Sequence, residues 1–218
     1  GTGSIFGFLL ARDTFSGAVM APLFISASFV YGMSFTVLVL MTICRATGQT
    51  LMNAEMVAKF RMLLIVFALA MLYFTAIQHL AKLYGAEYQG SEWFILANGG
   101  IYTTLFWLGH IGLGIVMPIV VLTLPGVRQS RWTLTLASIL ALLGGMAFVY
   151  VTIIGGQAYP MTLLPGMDIS SSTLDGAVAE YTPSIFEILL GIGGVSLAMF
   201  ITGVAFMLMP FLPKPATE

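Results

Sequence analysis

The stretch MLLIVFALAMLYFTAIQHLAKLY, Met62 to Tyr84, is an almost unbroken apolar run that gives way at its end to Gln78, His79 and Lys82. An apolar run of about 18 residues or more reads as a helix crossing a bilayer. The imidazole then falls within a turn of one end of that helix, where a purely structural span would simply stop. The rest of the chain has the same character. Of its 218 residues 59% are hydrophobic and 8% charged, and mean hydropathy is +1.00. A soluble domain carries roughly a quarter charged residues, so this chain lacks the polar surface to face water all round. Barrel strands would alternate polar and apolar in segments of about ten residues, and no such alternation appears. The sequence predicts an all-α integral membrane protein.

Five spans are expected, over residues 18–44, 62–81, 100–124, 132–154 and 184–209, each long enough for a hydrocarbon core near 30 Å. An interfacial segment precedes them (1–17). Ser130 is expected to cap the fourth span and Trp132 to anchor it, and Pro183 should lie in the first turn of the fifth. Arg45, Lys59, Arg61, Arg128, Arg131 and Lys214 fall on one side, with only Arg12 and Lys82 on the other. The positive-inside rule puts the first group in the cytoplasm, with the N-terminus outside and the tail 211–218 cytoplasmic. In a bacterium the protein would sit in the inner membrane. The opening GTGS has neither an initiator Met nor a basic-then-apolar leader, so a trimmed start is expected and the chain is read as a piece of something longer.

The net charge of −1 points away from nucleic acid. Cys44 is the single cysteine, too few for a disulfide or for the thiolates of an iron–sulfur cluster. No metal-ligand spacing, phosphate loop or nucleophile triad is present.

Ionisable groups in or beside spans carry what functional signal there is, because they are expensive in lipid and usually face a bundle interior. His79 lies near one end of the second span, and Glu187 about one turn inside the same side of the fifth. Gln78, Tyr84, Asn98, Tyr102, Gln157 and Tyr181 are available at that level. An apolar slot with donors and a titratable group would suit a quinone and its protons. The plainer alternatives are an interfacial His79 bonded to a carbonyl or headgroup, and a Glu187 that only favours its own helix dipole. His110 lies mid-span among Gly109, Gly112 and Gly114, a pattern that marks tight helix contact. By helix rise it is about 15 Å from the end of its span, so it should match His79 poorly as a second haem ligand. Pro118 should kink the third span. The connection 155–183 is long, and an ordered docking loop fits its Tyr159, Leu163, Leu164 and Tyr181 better than disorder.

The motifs FGFLLAR, PLFISASFVYG, QHLAKLY, LFWLGHIGLGIVMPIVVL, IIGGQAYPMTLLPG and YTPSIFEILLGIGG, in this order over nearly the whole chain, resemble the NrfD family of polysulfide-reductase-type membrane subunits. The resemblance implies a four-helix bundle of the NrfD type within the five spans. It implies the latter half of a longer protein whose first bundle contributes most to the known quinone pocket. It further implies no haem or cluster in this chain, transient contact with menaquinone or ubiquinone, and a periplasmic ferredoxin-like iron–sulfur subunit as partner. His79 and Glu187 would handle protons or touch quinone, with Gln78, Tyr84 and His110 as further candidates. Gln157, Tyr159, Asp168 and Tyr181 would help seat the partner. A transporter or ion-conducting module, and a haem-b anchor, are the competing readings.

Overall fold

The structure is a computed structural model that describes residues 1–9, 12–48, 52–124, 130–160 and 178–209. It is all helical among these residues. Five helices are long and apolar enough to cross a membrane: α2 (Met20–Thr47), α3 (Ala54–Tyr84), α5 (Ile101–Thr123), α6 (Arg131–Ala158) and α7 (Ile185–Leu208). The short helices α1 (Thr2–Gly7) and α4 (Gln89–Trp93) precede α2 and α5.

The chain divides into two units, Gly1–Ala179 and Glu180–Glu218. In the first, α2, α3, α5 and α6 form a four-helix bundle in which each helix packs on the next and α6 closes the ring against α2. Leu23, Val30, Leu64, Met71, Ile115 and Leu134 fill its centre. Residues facing outward stay apolar, Met62, Trp107, Leu108 and Met146 among them. That inversion of the soluble pattern is what a lipid solvent permits. Several hydroxyls inside the bundle donate within their own helices, as where Thr75 donates to Met71 O at 2.8 Å and Ser138 to Leu134 O at 2.8 Å.

Helix ends differ from the expectation in instructive ways. α3 begins at Ala54 rather than Met62, because the Asn53 side chain accepts from Met56 N (2.8 Å) and Glu55 pairs with Lys59 (2.6 Å) one turn on. It also runs on to Tyr84. α6 extends to Ala158, so Gly155, Gly156 and Gln157 are helical rather than the start of a loop. Ser130 does cap α6, accepting from Thr133 N. Glycines set the α5–α6 contact. A Cβ at Gly114 would meet Gly144 Cα at 2.9 Å, and one at Gly109 would meet the Ala147 side chain at 2.6 Å. Gly112, by contrast, faces only the carbonyl of Trp107 in its own helix. Residues Leu105–Val116 of α5 are π-helical, with α-helical geometry resuming at Met117 beside Pro118. Wide turns of this kind are rare and often sit at functional places.

In the second unit, Ser184 caps α7 in a capping box. Its hydroxyl accepts from Glu187 N, and Glu187 Oε2 accepts from Ser184 N at 2.7 Å. Pro183 therefore precedes the cap instead of occupying the first turn.

Candidate functional site

At the end of the first unit where α3 finishes and α5 starts, a narrow cavity of about 40 Å³ runs between the helices. Polar side chains from five segments meet in it: Thr75, Gln78, His79 and Lys82 of α3, Glu92 of α4, His110 of α5, Thr152 of α6, and Thr14 of the segment before α2. Ile95, Phe106 and Phe148 supply apolar walls.

The shortest contact joins His79 and Glu92. His79 Nδ1 and Glu92 Oε2 are 2.6 Å apart, and Glu92 is 1% exposed. Gly85 and a 3₁₀ turn, Ala86–Tyr88, reverse the chain after α3, which lets α4 fold its carboxylate back under the end of the helix that carries His79. The imidazole also meets Phe106 edge-on, with centroids 4.8 Å apart. Lys82, 5% exposed, does not reach outward as a rim residue would. Its ammonium donates to Asp13 O (2.8 Å) and to Thr14 O. Arg12 donates to Gln157 O (2.7 Å) and Tyr159 O (3.2 Å), and Thr14 Oγ1 to Gly156 O (2.9 Å). Two cations and a hydroxyl thereby strap residues 12–14 across the ends of α3 and α6.

His110 lies deeper and is 1% exposed. Its Nε2 is 3.3 Å from Thr75 Oγ1. With the Thr75 hydroxyl donating to Met71 O, Thr75 accepts from His110 Nε2–H, and Nδ1 is then the acceptor of the ring. Nδ1 has no partner, and neither does Nε2 of Gln78, another lining residue. A polar cavity of this size has room for about two or three waters. Buried polar atoms without protein partners are where such waters bind. A quinone ring does not fit, since pockets for such ligands run to roughly 300–1,000 Å³.

His110 is the deeper of the two imidazoles, as expected, but it lies closer to His79 than a uniform helix rise predicts. α3 runs three residues past its expected end, carrying His79 further in, and the wider π turns of α5 advance less per residue. Both imidazoles line one cavity, with Phe106 between them. Gln78 joins them. Tyr84 does not: it is 95% exposed, past the last turn that faces the cavity. Glu187 belongs to the second unit and engages its own cap. Of the docking candidates, Gln157 is helical and exposed, while Tyr159 is half-buried against Phe94. Burial and the nearby Asp13 carboxylate hold the Tyr159 phenol above its ordinary pKa. Tyr181 precedes the α7 cap, and Asp168 lies outside the described residues.

Glu92 and the inward turn of Lys82 are the pieces that reading the sequence missed. The available signal was a carboxylate directly before the apolar run WFILA, Trp93–Ala97, too short a segment to span but apolar enough to be drawn into the bundle.

The fold and this cavity define a multi-pass helical membrane protein with a buried His–Glu pair at one end of a four-helix bundle. The family model described as polysulphide reductase, NrfD, matches residues 1–161, and the chain belongs to that family. It is 31% identical, over its whole length, to the Hdr-like menaquinol oxidoreductase integral membrane subunit of Archaeoglobus fulgidus, covering 55% of that protein. It is 26% identical, over 96% of its length, to a putative membrane subunit of dimethyl sulfoxide reductase from Halobacterium salinarum, covering 49% of it. It is 22% identical, over 98% of its length, to a selenate reductase subunit from Mesobacillus selenatarsenatis, covering 48%. The chain thus spans about half the length of the curated relatives it matches. No solved structure matches it.

Proposed function

We propose that this chain is part of the membrane subunit of a respiratory oxidoreductase that exchanges electrons between the quinone pool and a periplasmic ferredoxin-like iron–sulfur subunit. In this reading the His79–Glu92 cavity handles protons. The observation that carries it is the 2.6 Å His79–Glu92 contact opening onto a polar cavity inside an otherwise apolar bundle. Relatives named as menaquinol oxidoreductase, dimethyl sulfoxide reductase and selenate reductase subunits support the redox setting. The skew of Lys and Arg toward the opposite end supports a cytoplasmic membrane with this cavity on the outer side.

Oxidation of a quinol liberates two protons with its two electrons, and reduction of a quinone consumes them. The size of the cavity supports a role in that proton half rather than contact with the ring, which would lie elsewhere in the complex. Glu92 accepts the imidazole N–H when His79 is charged and keeps its tautomer when it is neutral, so a proton arriving at His79 meets a partner in either state. Waters on Gln78 Nε2 and His110 Nδ1 would extend the polar path inward. Lys82 offsets the Glu92 charge while holding the strap that keeps bulk water out.

The test is purification of the native complex from wild-type and His79→Ala cells. The proposal expects a co-purifying iron–sulfur subunit in both, with quinol turnover strongly reduced only in the variant. Equal turnover, or isolation without any redox partner, would refute it.

A further inference from the structure

At the other end of the first unit, α2 finishes and α6 begins around a separate cavity of about 370 Å³. Arg45 and Arg131 line it, together with Met41, Cys44, Trp132 and Thr135. Its chemistry is unlike that of the His79 site. Two guanidinium groups from different helices share it, and neither has an acidic partner among the described residues. Arg45 stands in the last turn of α2, where a cation complements the helix dipole. Arg131 does the opposite: it is the first residue of α6, at the positive end of the dipole, and that helix has no acid in its first turn. The field at the start of α6 is therefore positive from the Arg131 side chain and the helix N-terminus together, and Arg45, partly balanced by the C-terminal end of its own helix, adds to it with no acidic partner among the described residues. Elsewhere the chain handles its exposed charge differently, pairing Lys59 with Glu55.

The walls name the class of anion. Met41 and the indole of Trp132 are apolar and border the lipid-facing surface, and Trp132 is 64% exposed. A freely soluble anion would gain nothing from them. An amphiphile with a phosphate head and hydrocarbon tails would use both parts, since Arg grips phosphate in a two-pronged fashion and Trp sits at headgroup level. This is also the end of the bundle richest in Lys and Arg, the side that faces anionic lipid when the positive-inside rule holds.

We propose that the cavity between the end of α2 and the start of α6 is a binding site for one anionic phospholipid, its phosphate held between Arg45 and Arg131 and its tails running past Met41 and Trp132. The native complex, extracted in mild detergent, would be loaded with phosphatidylglycerol or phosphatidylcholine and the retained lipid counted by native mass spectrometry. Wild type should retain one phosphatidylglycerol in preference to phosphatidylcholine. The double variant Arg45→Gln/Arg131→Gln should bind it about 30-fold more weakly, the effect of two cations near a membrane surface. The Arg45→Lys/Arg131→Lys variant should recover most of the preference, which separates lost charge from a damaged fold. Equal retention by wild type and the Gln variant, or no preference for the anionic lipid, would overturn the proposal. Displacement of the lipid by 10 mM inorganic phosphate would overturn the lipid assignment in favour of a soluble phosphate.

Discussion

Gly144→Ala should push α5 and α6 apart where their backbones approach closely at Gly114. A Cβ built at Gly144 falls 2.5 Å from Gly114 N, closer still to Gly114 Cα, and 3.0 Å from Gly109 O. Ordinary non-bonded separations are about 3.5–4.0 Å, so the helices must part by well over an ångström, about 1.5–2 Å at the closest atom. No flexible side chain lies at the contact to give way. Over-packing of this kind costs about 1–3 kcal/mol in a well-packed core, and rigid backbone on both sides favours the upper end. The displaced helix carries Phe106 and His110, so the cavity should loosen as well. Gly32→Ala is the matched control: it lies within α2 with nothing within 4 Å of its added Cβ, and helical Ala is favoured over Gly by about 0.5–1 kcal/mol. Thermal unfolding of the detergent-solubilised protein, followed by circular dichroism, should show a clearly lower midpoint for Gly144→Ala and no such drop for Gly32→Ala. Equal midpoints would mean that the Gly114–Gly144 contact is not what sets the helix spacing.

Other outcomes follow from single contacts. Lys82→Met removes the donor from two strap carbonyls, Asp13 O and Thr14 O. It should cost about 2–4 kcal/mol at the usual penalty for stranded polar groups, seen as a lower midpoint and faster proteolysis next to Arg12. Asn53→Ala removes the α3 cap and should cost about 1 kcal/mol without altering turnover, because it lies at the far end of that helix.

The spans were legible because hydrophobic length is a signal each helix carries alone, so Met62–Tyr84 announces itself without its neighbours. His79, Gln78 and His110 were legible as candidates for the same reason: a polar side chain in a greasy helix stands out. What could not be read was pairing. Glu92 looks like one more acid in a short connection until the chain reversal at Gly85 turns it inward onto His79. Lys82 looks like a rim cation until the segment before α2 offers it two carbonyls from about seventy residues away. The gap between the histidines is smaller than inferred because rise per residue was taken as uniform, while α5 is π-helical through Leu105–Val116. Tyr84 misled because it adjoins the right residues in sequence and points the other way in space.

The central claim is that a carboxylate and an imidazole, hidden together inside the bundle, carry protons for a redox reaction. Quinol turnover of the native complex bearing Glu92→Gln tests it most directly, because Gln keeps the size and hydrogen-bonding reach of Glu while removing its ability to hold a proton. A general acid–base contribution is worth about a hundredfold or more, so turnover should fall by at least about that factor with the complex still assembled, while Tyr84→Ala stays at the wild-type rate. Turnover in Glu92→Gln within twofold of wild type would contradict the account.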